Sequence, residues 1–217
     1  MVTKYYFSHI ARDCQSLGDQ KIVKKRREDS RLTRGRAGCY DGKNVKEGGR
    51  MEFVLRKWEE GDVAYVQKYA NNEKIAAALR NAFPYPYTMD DAKAYIHSCA
   101  ENSERQVTRA IIVEGRAVGS IGVFFGSDVY KKSAEIGYWL GEPFWGRGIM
   151  SGAVMRVCRY VFAKYDIERI FAEPFACNTG SRRVLEKAGF TLEGILRNSV
   201  YKNGTLQDSC MYALLRQ

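Results

Sequence analysis

The sequence predicts an α+β domain whose sheet is mixed, mostly antiparallel, with one parallel crossing. Three observations carry this. Segments with the two-residue period of a half-buried strand outnumber those with a helical stripe. Two pairs of them meet at tight turns, Glu114-Gly115-Arg116 and Asn203-Gly204, and so read as antiparallel hairpins. A long amphipathic run joins "SAEIGYWL" to "RIFAEPF", a connection that suits two parallel neighbours.

From Met51 the order is strand, two helices, three strands, helix, strand, helix, hairpin. "MEFVLRKW" alternates as a strand does, and "EEGDVAYVQKYANN" sets Val63, Val66 and Ala70 on one helical face. Two prolines in "NAFPYPYT" forbid regular helix. Thr88 with Asp91 three residues on has the pattern of a helix N-terminal cap, and Met89, Ala92, Ile96 and Cys99 make the buried stripe of the second helix. "QVTRAIIV" and "AVGSIGVFF" form the first hairpin, and "SAEIGYWL" the next strand. Ile149, Met150, Ala153, Val154, Val157, Cys158, Val161 and Phe162 then recur as the stripe of a helix of about four turns. "RIFAEPF" is a strand, "NTGSRRVLEKAGF" a short helix closed by Gly189, and "GILRNSVYKNGTLQDSCMYALL" the terminal hairpin.

The 217 residues, 45% of them hydrophobic, suffice for one sizeable core. No apolar run approaches the roughly 18 to 20 residues of a bilayer helix, and the N-terminus lacks a leader pattern, so a soluble cytoplasmic protein is expected. Six cysteines without a CxxC pair, and two histidines remote from them, argue against a metal site or a disulfide framework and for reduced thiols. Of the formal +10 charge, +7 lies in residues 1–50, which hold thirteen Lys and Arg against six Asp and Glu. The remaining +3 argues against nucleic acid as the partner of residues 51–217. Residues 1–50 show neither period and end in Gly-Gly, which predicts a basic, disordered or loosely docked extension. Three readings of it stay open: Met51 as the true start, a solvated tail, or an arm for a polyanion.

In "GEPFWGRGIMSGAV", Gly146, Gly148 and Gly152 stand where a strand gives way to the long helix. The first N–H groups of a helix have no internal partners and the helix dipole adds positive charge, so a phosphate suits this point. Arg147 adds to it. No Lys-Ser or Lys-Thr follows, as a P-loop requires, and the spacing is not GxGxxG.

The stretches "AEIGYWLGEPFWGRGIMSGAV", "ERIFAEPFACNTGSRRVLEKAGFTLEGILR" and "YKNGTLQDSCMYALL", in this order, resemble the GNAT superfamily of acyl-CoA N-acyltransferases, within it the branch that acetylates ribosomal-protein N-termini. The resemblance runs from about Met51 to Gln217 and implies a GNAT fold with splayed central strands flanked by helices. It implies acetyl-CoA as cosubstrate, its pyrophosphate held by the amides of Arg147, Gly148, Ile149, Met150, Ser151 and Gly152. Pro143 departs from the Gln or Arg that usually opens that loop. Tyr138, Trp139 and Leu140 fall on the splayed strand whose backbone pairs with pantetheine, with the Leu140 amide donating to the thioester oxygen. Asn178 matches the residue that steadies pantetheine, and is equally a helix N-cap.

By the same resemblance Glu135 is the candidate general base. The tyrosine that many relatives use as the acid falls on Leu185, which leaves Ser181 as the nearest hydroxyl. Cys177 is read as a bystander. Phe83, Tyr85 and Tyr138, with Tyr87 and Trp139, are candidates for the wall of the acceptor pocket; aromatic core is the alternative for each. The acceptor is an amine, on a peptide N-terminus or a small molecule. An acyl-CoA-binding module without catalysis is the rival reading. Dimerisation is common in such enzymes, and no feature of this sequence requires it.

Overall fold

The computed structural model describes residues 51–101 and 104–217, so the expectation for residues 1–50 lies outside the described residues. Among the described residues seven strands form a single sheet: β1 (Val54–Arg56), β2 (Gln106–Val113), β3 (Arg116–Phe125), β4 (Ser133–Leu140), β5 (Arg169–Ala172), β6 (Thr191–Lys202) and β7 (Thr205–Leu215). Their order across it is β1-β2-β3-β4-β5-β7-β6. β4 and β5 are parallel and every other neighbouring pair is antiparallel, as the sequence predicts. Both hairpin turns have paired positive φ values, at Glu114 and Gly115 and at Asn203 and Gly204. These values match the right-handed twist of the strands they join.

The helices are α1 (Val63–Ala70), α2 (Glu73–Ala77), α3 (Met89–Glu101), α4 (Ile149–Lys164) and α5 (Thr179–Lys187). α2 is an addition to the expected order. Its five residues are too few for a period to show, and the Asn72 side chain starts it by accepting from the amides of Lys74 and Ile75. Met89 is a correction: it opens α3 exposed to solvent, while Ala92, Ile96 and Cys99 are buried as expected.

The sheet separates two cores. On one face, Ala153, Val154 and Val161 of α4 pack against Ile121 and Val123 of β3 and Ile136 of β4. Each fully buried Val or Ile contributes about 1.5 to 3 kcal/mol, so this stripe fixes α4 to the sheet. On the other face, Val66, Ala70, Ala92 and Ile96 of α1 and α3 enclose Trp139 of β4. Trp139 and Tyr138 are successive residues and therefore serve opposite faces.

β4 and β5 pair only at Ser133, Ala134 and Glu135, opposite Arg169, Ile170 and Phe171. β4 continues to Leu140, whereas β5 stops at Ala172 because Pro174 follows and lacks an N–H. The chain there turns to β7 instead: the Pro174 carbonyl accepts from the Cys210 amide at 2.9 Å, and Phe175 bridges Ser209. The sheet thus splits beside Glu135.

Candidate active site at the split in the sheet

A cleft of about 770 Å³ runs through the split, from α2 on one face of the sheet to α4 and α5 on the other. At its α4 end, Gly146 (φ +74°) and Gly148 (φ +76°) hold left-handed conformations that favour glycine. They bend the loop so that Gly148 caps α4. The Gly148 carbonyl accepts from the Gly152 amide at 3.1 Å, which leaves the amides of Ile149, Met150 and Ser151, the first turn, without partners inside the helix. These three residues line the cleft with Arg147 and Gly148.

Gly152 is a correction to the expected phosphate set. Its amide is consumed by Gly148, it does not line the cleft, and a Cβ there would lie 3.1 Å from the Phe53 ring. This glycine makes room for a side chain of the protein.

The open flank of β4 comes next. The Gly141 amide donates to the Val118 carbonyl of the segment leading through β3, so by strand alternation odd-numbered amides of β4 address β3, while those of Tyr138 and Leu140 turn to the split. The Leu140 carbonyl, on the same side, accepts from the Trp145 indole at 2.6 Å, which ties the glycine loop to the strand. Trp139 fits the pantetheine-binding expectation less well: its amide turns to β3, and its ring packs on Phe83 at 6.3 Å. Trp139 nonetheless lines the cleft.

Across the split, Asn178 caps α5, its Oδ1 accepting from the Ser181 amide at 3.0 Å. The N-cap role is thus present, and the Asn178 side-chain NH₂ remains directed by that bond. Ser181 Oγ lies 2.9 Å from the Tyr138 hydroxyl, so the residue expected in catalysis and the one expected in the acceptor wall form one pair. Burial pushes the Tyr138 phenol well up, against the smaller opposing effect of Ser181, so its proton stays in place at neutral pH. Leu185, where the resemblance leads one to look for an acid tyrosine, is fully buried in the α4 core. Cys177 lies exposed at the cleft edge, its thiol 3.5 Å from Gln207 Oε1.

On the α1 to α3 face, Glu135 pairs with Arg80, and its side chain retains 17% exposure. Burial raises its pKa; Arg80 opposes this, and the negative charge of Glu173 adds to the rise. Phe83 lines the cleft, stacked on Tyr87 at 5.0 Å. Tyr87 is core, 4% exposed, with its amide held by Asn71. Tyr85 is a correction: it is 53% exposed and does not line the cleft, because the proline-broken segment turns it to solvent.

Sequence reasoning missed Arg80, Glu173 and Lys74, all of which line the cleft. Glu173 left one signal, a carboxylate directly before the proline that ends a strand. Arg80 left only a cation in an otherwise apolar and aromatic segment. Lys74 is joined to Glu142 before the glycine loop, an ion pair across 68 residues that no local pattern announces. Among the described residues no group of His, Cys, Asp and Glu is placed to hold a metal ion, and no helix is long and apolar enough to cross a membrane.

The model of the acetyltransferase (GNAT) domain family matches residues 52–191. The chain belongs to the GNAT acetyltransferase family. An uncharacterised N-acetyltransferase of Bacillus licheniformis, p20, shares 32% identity with it over 169 residues, 76% of this chain and 93% of that protein. A probable N-acetyltransferase of Bacillus subtilis (strain 168), YjcK, is 40% identical over 102 residues, 47% of this chain and 56% of that one. The chain spans little more than half the length of several curated GNAT relatives it matches. Among solved GNAT structures, RimL, a ribosomal L7/L12 alpha-N-protein acetyltransferase in complex with coenzyme A, superposes with a TM-score of 0.68 at 25% identity, covering 75% of this chain and 93% of that one.

Proposed function

We propose that this GNAT domain transfers an acetyl group from acetyl-CoA to a primary amine, at a protein N-terminus or on a small molecule, by direct attack on the thioester. One observation carries the reading: the sheet opens beside Glu135, so that unpaired strand amides lie between a carboxylate on one face and a helix N-terminus on the other. The amides of Ile149, Met150 and Ser151, with Arg147, suit the pyrophosphate. Pantetheine then lies along Tyr138 and Leu140 as a further strand would, and the Leu140 amide donates to the thioester oxygen as negative charge develops there.

The amine enters past Phe83 from the α1 to α3 face and loses a proton to Glu135. At pH 7 a lysine-like amine costs about 4.6 kcal/mol to deprotonate and an α-amino group about 1.4 kcal/mol. A carboxyl whose pKa is raised by burial is the better matched base, more so for the second class of amine. As the C–S bond breaks, the Ser181 and Tyr138 hydroxyls, one on each side of the split, meet the leaving sulfur. Tyr138 keeps its phenol proton and holds Ser181 within hydrogen-bond distance, so the Ser181 hydroxyl is placed as the donor to the thiolate. The similarity to RimL, an alpha-N-protein acetyltransferase, favours that acceptor class. Free Cys99, Cys158, Cys177 and Cys210 fit a reducing cytoplasm.

Leu185, a buried hydrocarbon at the position that the resemblance gives to an acid tyrosine in many relatives, is what favours the second reading, an acyl-CoA-binding module without transfer. Thiol release from acetyl-CoA, measured across N-terminal peptides, polyamines and aminoglycosides, separates the two. Release with one amine class is expected; tight CoA binding with no release for any amine would overturn the transferase reading.

A further inference from the structure

Acetylation of an ammonium leaves a proton over. The acceptor nitrogen starts with three hydrogens and ends with one, as its bond to the acetyl carbon forms and the C–S bond breaks. One of the two protons lost ends on the CoA sulfur. The other must reach solvent, and once acetyl-CoA and acceptor fill the cleft, Glu135 has no open water beside it: it is 17% exposed even without them and is closed on one side by Arg80.

We propose that Glu173, Ser209 and Ser199 are the exit route for this second proton, carrying it from the cleft through the sheet to the solvent-facing surface of β6. Glu173 lines the same cleft as Glu135, just past the end of β5, two residues beyond Phe171, which lies opposite Glu135 in the parallel pair. Ser209 Oγ, fully buried in β7, lies 2.8 Å from Glu173 Oε1, and Ser199 Oγ lies 2.7 Å from Ser209 Oγ. Ser199 is exposed, and its hydroxyl is also 3.0 Å from the Leu196 carbonyl.

The geometry is built rather than incidental. Between the pairs Leu196↔Ser209 and Val200↔Gln207 the β6 strand bulges, Asn198 taking φ +50° with its amide held by Asp208 Oδ1 at 2.8 Å. The bulge turns Ser199 inward onto Ser209. Glu173 is fixed in turn by the Pro174 to Cys210 and Ala176 to Asp208 backbone bonds, which lock its loop to β7.

The hydrogens also close in both states of the carboxyl. With Glu173 ionised, Ser199 donates to Ser209 and Ser209 to the carboxylate. With Glu173 protonated, it donates to Ser209, Ser209 to Ser199, and Ser199 to the Leu196 carbonyl. Each hydroxyl has one proton and uses it once in either direction. The proton passes by hops, Glu173 to Ser209, Ser209 to Ser199 and Ser199 to a solvent water, each hydroxyl gaining one proton as it gives up its own; rotation of the two hydroxyls then resets the chain. Glu173 acts here on the proton that Glu135 has taken, and Ser209 and Ser199 act through Glu173; they position and relay, and touch neither substrate.

This inference rests on the acetyltransferase reading, and one assay tells their failures apart. Thiol release from acetyl-CoA is measured with an alanyl-initiated peptide and with spermidine, in weak and in strong imidazole buffer, for the wild type, Ser209→Ala and Ser199→Ala. The relay predicts that both variants lose kcat roughly tenfold in weak buffer, keep KM and acetyl-CoA affinity, and recover as imidazole rises and carries the proton instead. Ser199→Ala alters an exposed hydroxyl and keeps the test open should Ser209→Ala fail to fold. Wild-type turnover by the folded variants in weak buffer, or a loss that imidazole does not restore, overturns the relay alone. Absence of release by the wild type with every amine overturns the transferase reading and the relay with it.

Discussion

Along β4, the flank toward β3 is paired at seven positions, from Ala134 to Leu140, whereas the flank toward β5 is paired at three and ends at Glu135. The closed flank meets Ile121 and Val123, both wholly buried, and has its backbone bonded throughout. The open flank presents the Tyr138 and Leu140 amides to a cleft. A buried strand edge left unpaired is costly, so the fold holds an incomplete sheet in place by completing it on the other side and by clamping β5 to β7. The same strand thus supplies stability through one edge and leaves its other edge facing the cleft. Substitutions on the two flanks should separate accordingly.

The sharpest contrast is expected at the lip of the split. Glu135→Gln should lower kcat by about 10² to 10³-fold while acetyl-CoA still binds, read from thiol release and calorimetry. A variant that lost cofactor affinity in step with kcat would place Glu135 in the fold rather than in the chemistry. On the closed flank, Ile121→Ala should lower unfolding free energy in urea by about 2 to 5 kcal/mol, with the kcat of the folded enzyme retained. Loss of activity without loss of stability there would erase the distinction between the flanks.

Smaller effects sharpen it. Tyr138→Phe keeps the ring in place and removes the hydroxyl that meets Ser181; kcat should fall roughly tenfold, and stability by about 1 kcal/mol for the lost buried bond. Arg80→Gln should show mainly in the pH profile. The guanidinium favours the ionised form of Glu135, so without it the carboxyl pKa, already raised by burial, rises further. The acid limb of kcat/KM, below which the base is protonated, then moves to higher pH. A limb that stays in place, or moves down, would mean that another group sets it.

How much of this was legible depended on how far apart the interacting residues lie in the chain. The four-turn stripe of α4, both hairpin turns and the parallel crossing show as periods and glycine positions, since local sterics and one buried face determine them. α2 and the exposure of Met89 do not, since five residues carry no period and the first turn of a helix need not touch the core. In the site, the glycine loop is legible because left-handed backbone restricts residue choice at Gly146 and Gly148. Gly152 shows the limit of that signal: glycine records only that something approaches, and here it is Phe53.

By itself the sequence determined the α+β order of elements, the strand-to-helix turn whose first amides face outward, and the presence of Glu135, Ser181 and Tyr138 on segments that resemble an acyl-CoA enzyme. Tertiary structure alone decided that Tyr138 meets Ser181, that Arg80 reaches Glu135 from 55 residues away, and that Glu173 finds Ser209 across 36. The physical reason is range. Backbone conformation and hydrophobic period act within a few residues and leave a pattern in the sequence, while a hydrogen bond or ion pair constrains only two side chains, which the packing of α4 and the split between β4 and β5 bring together.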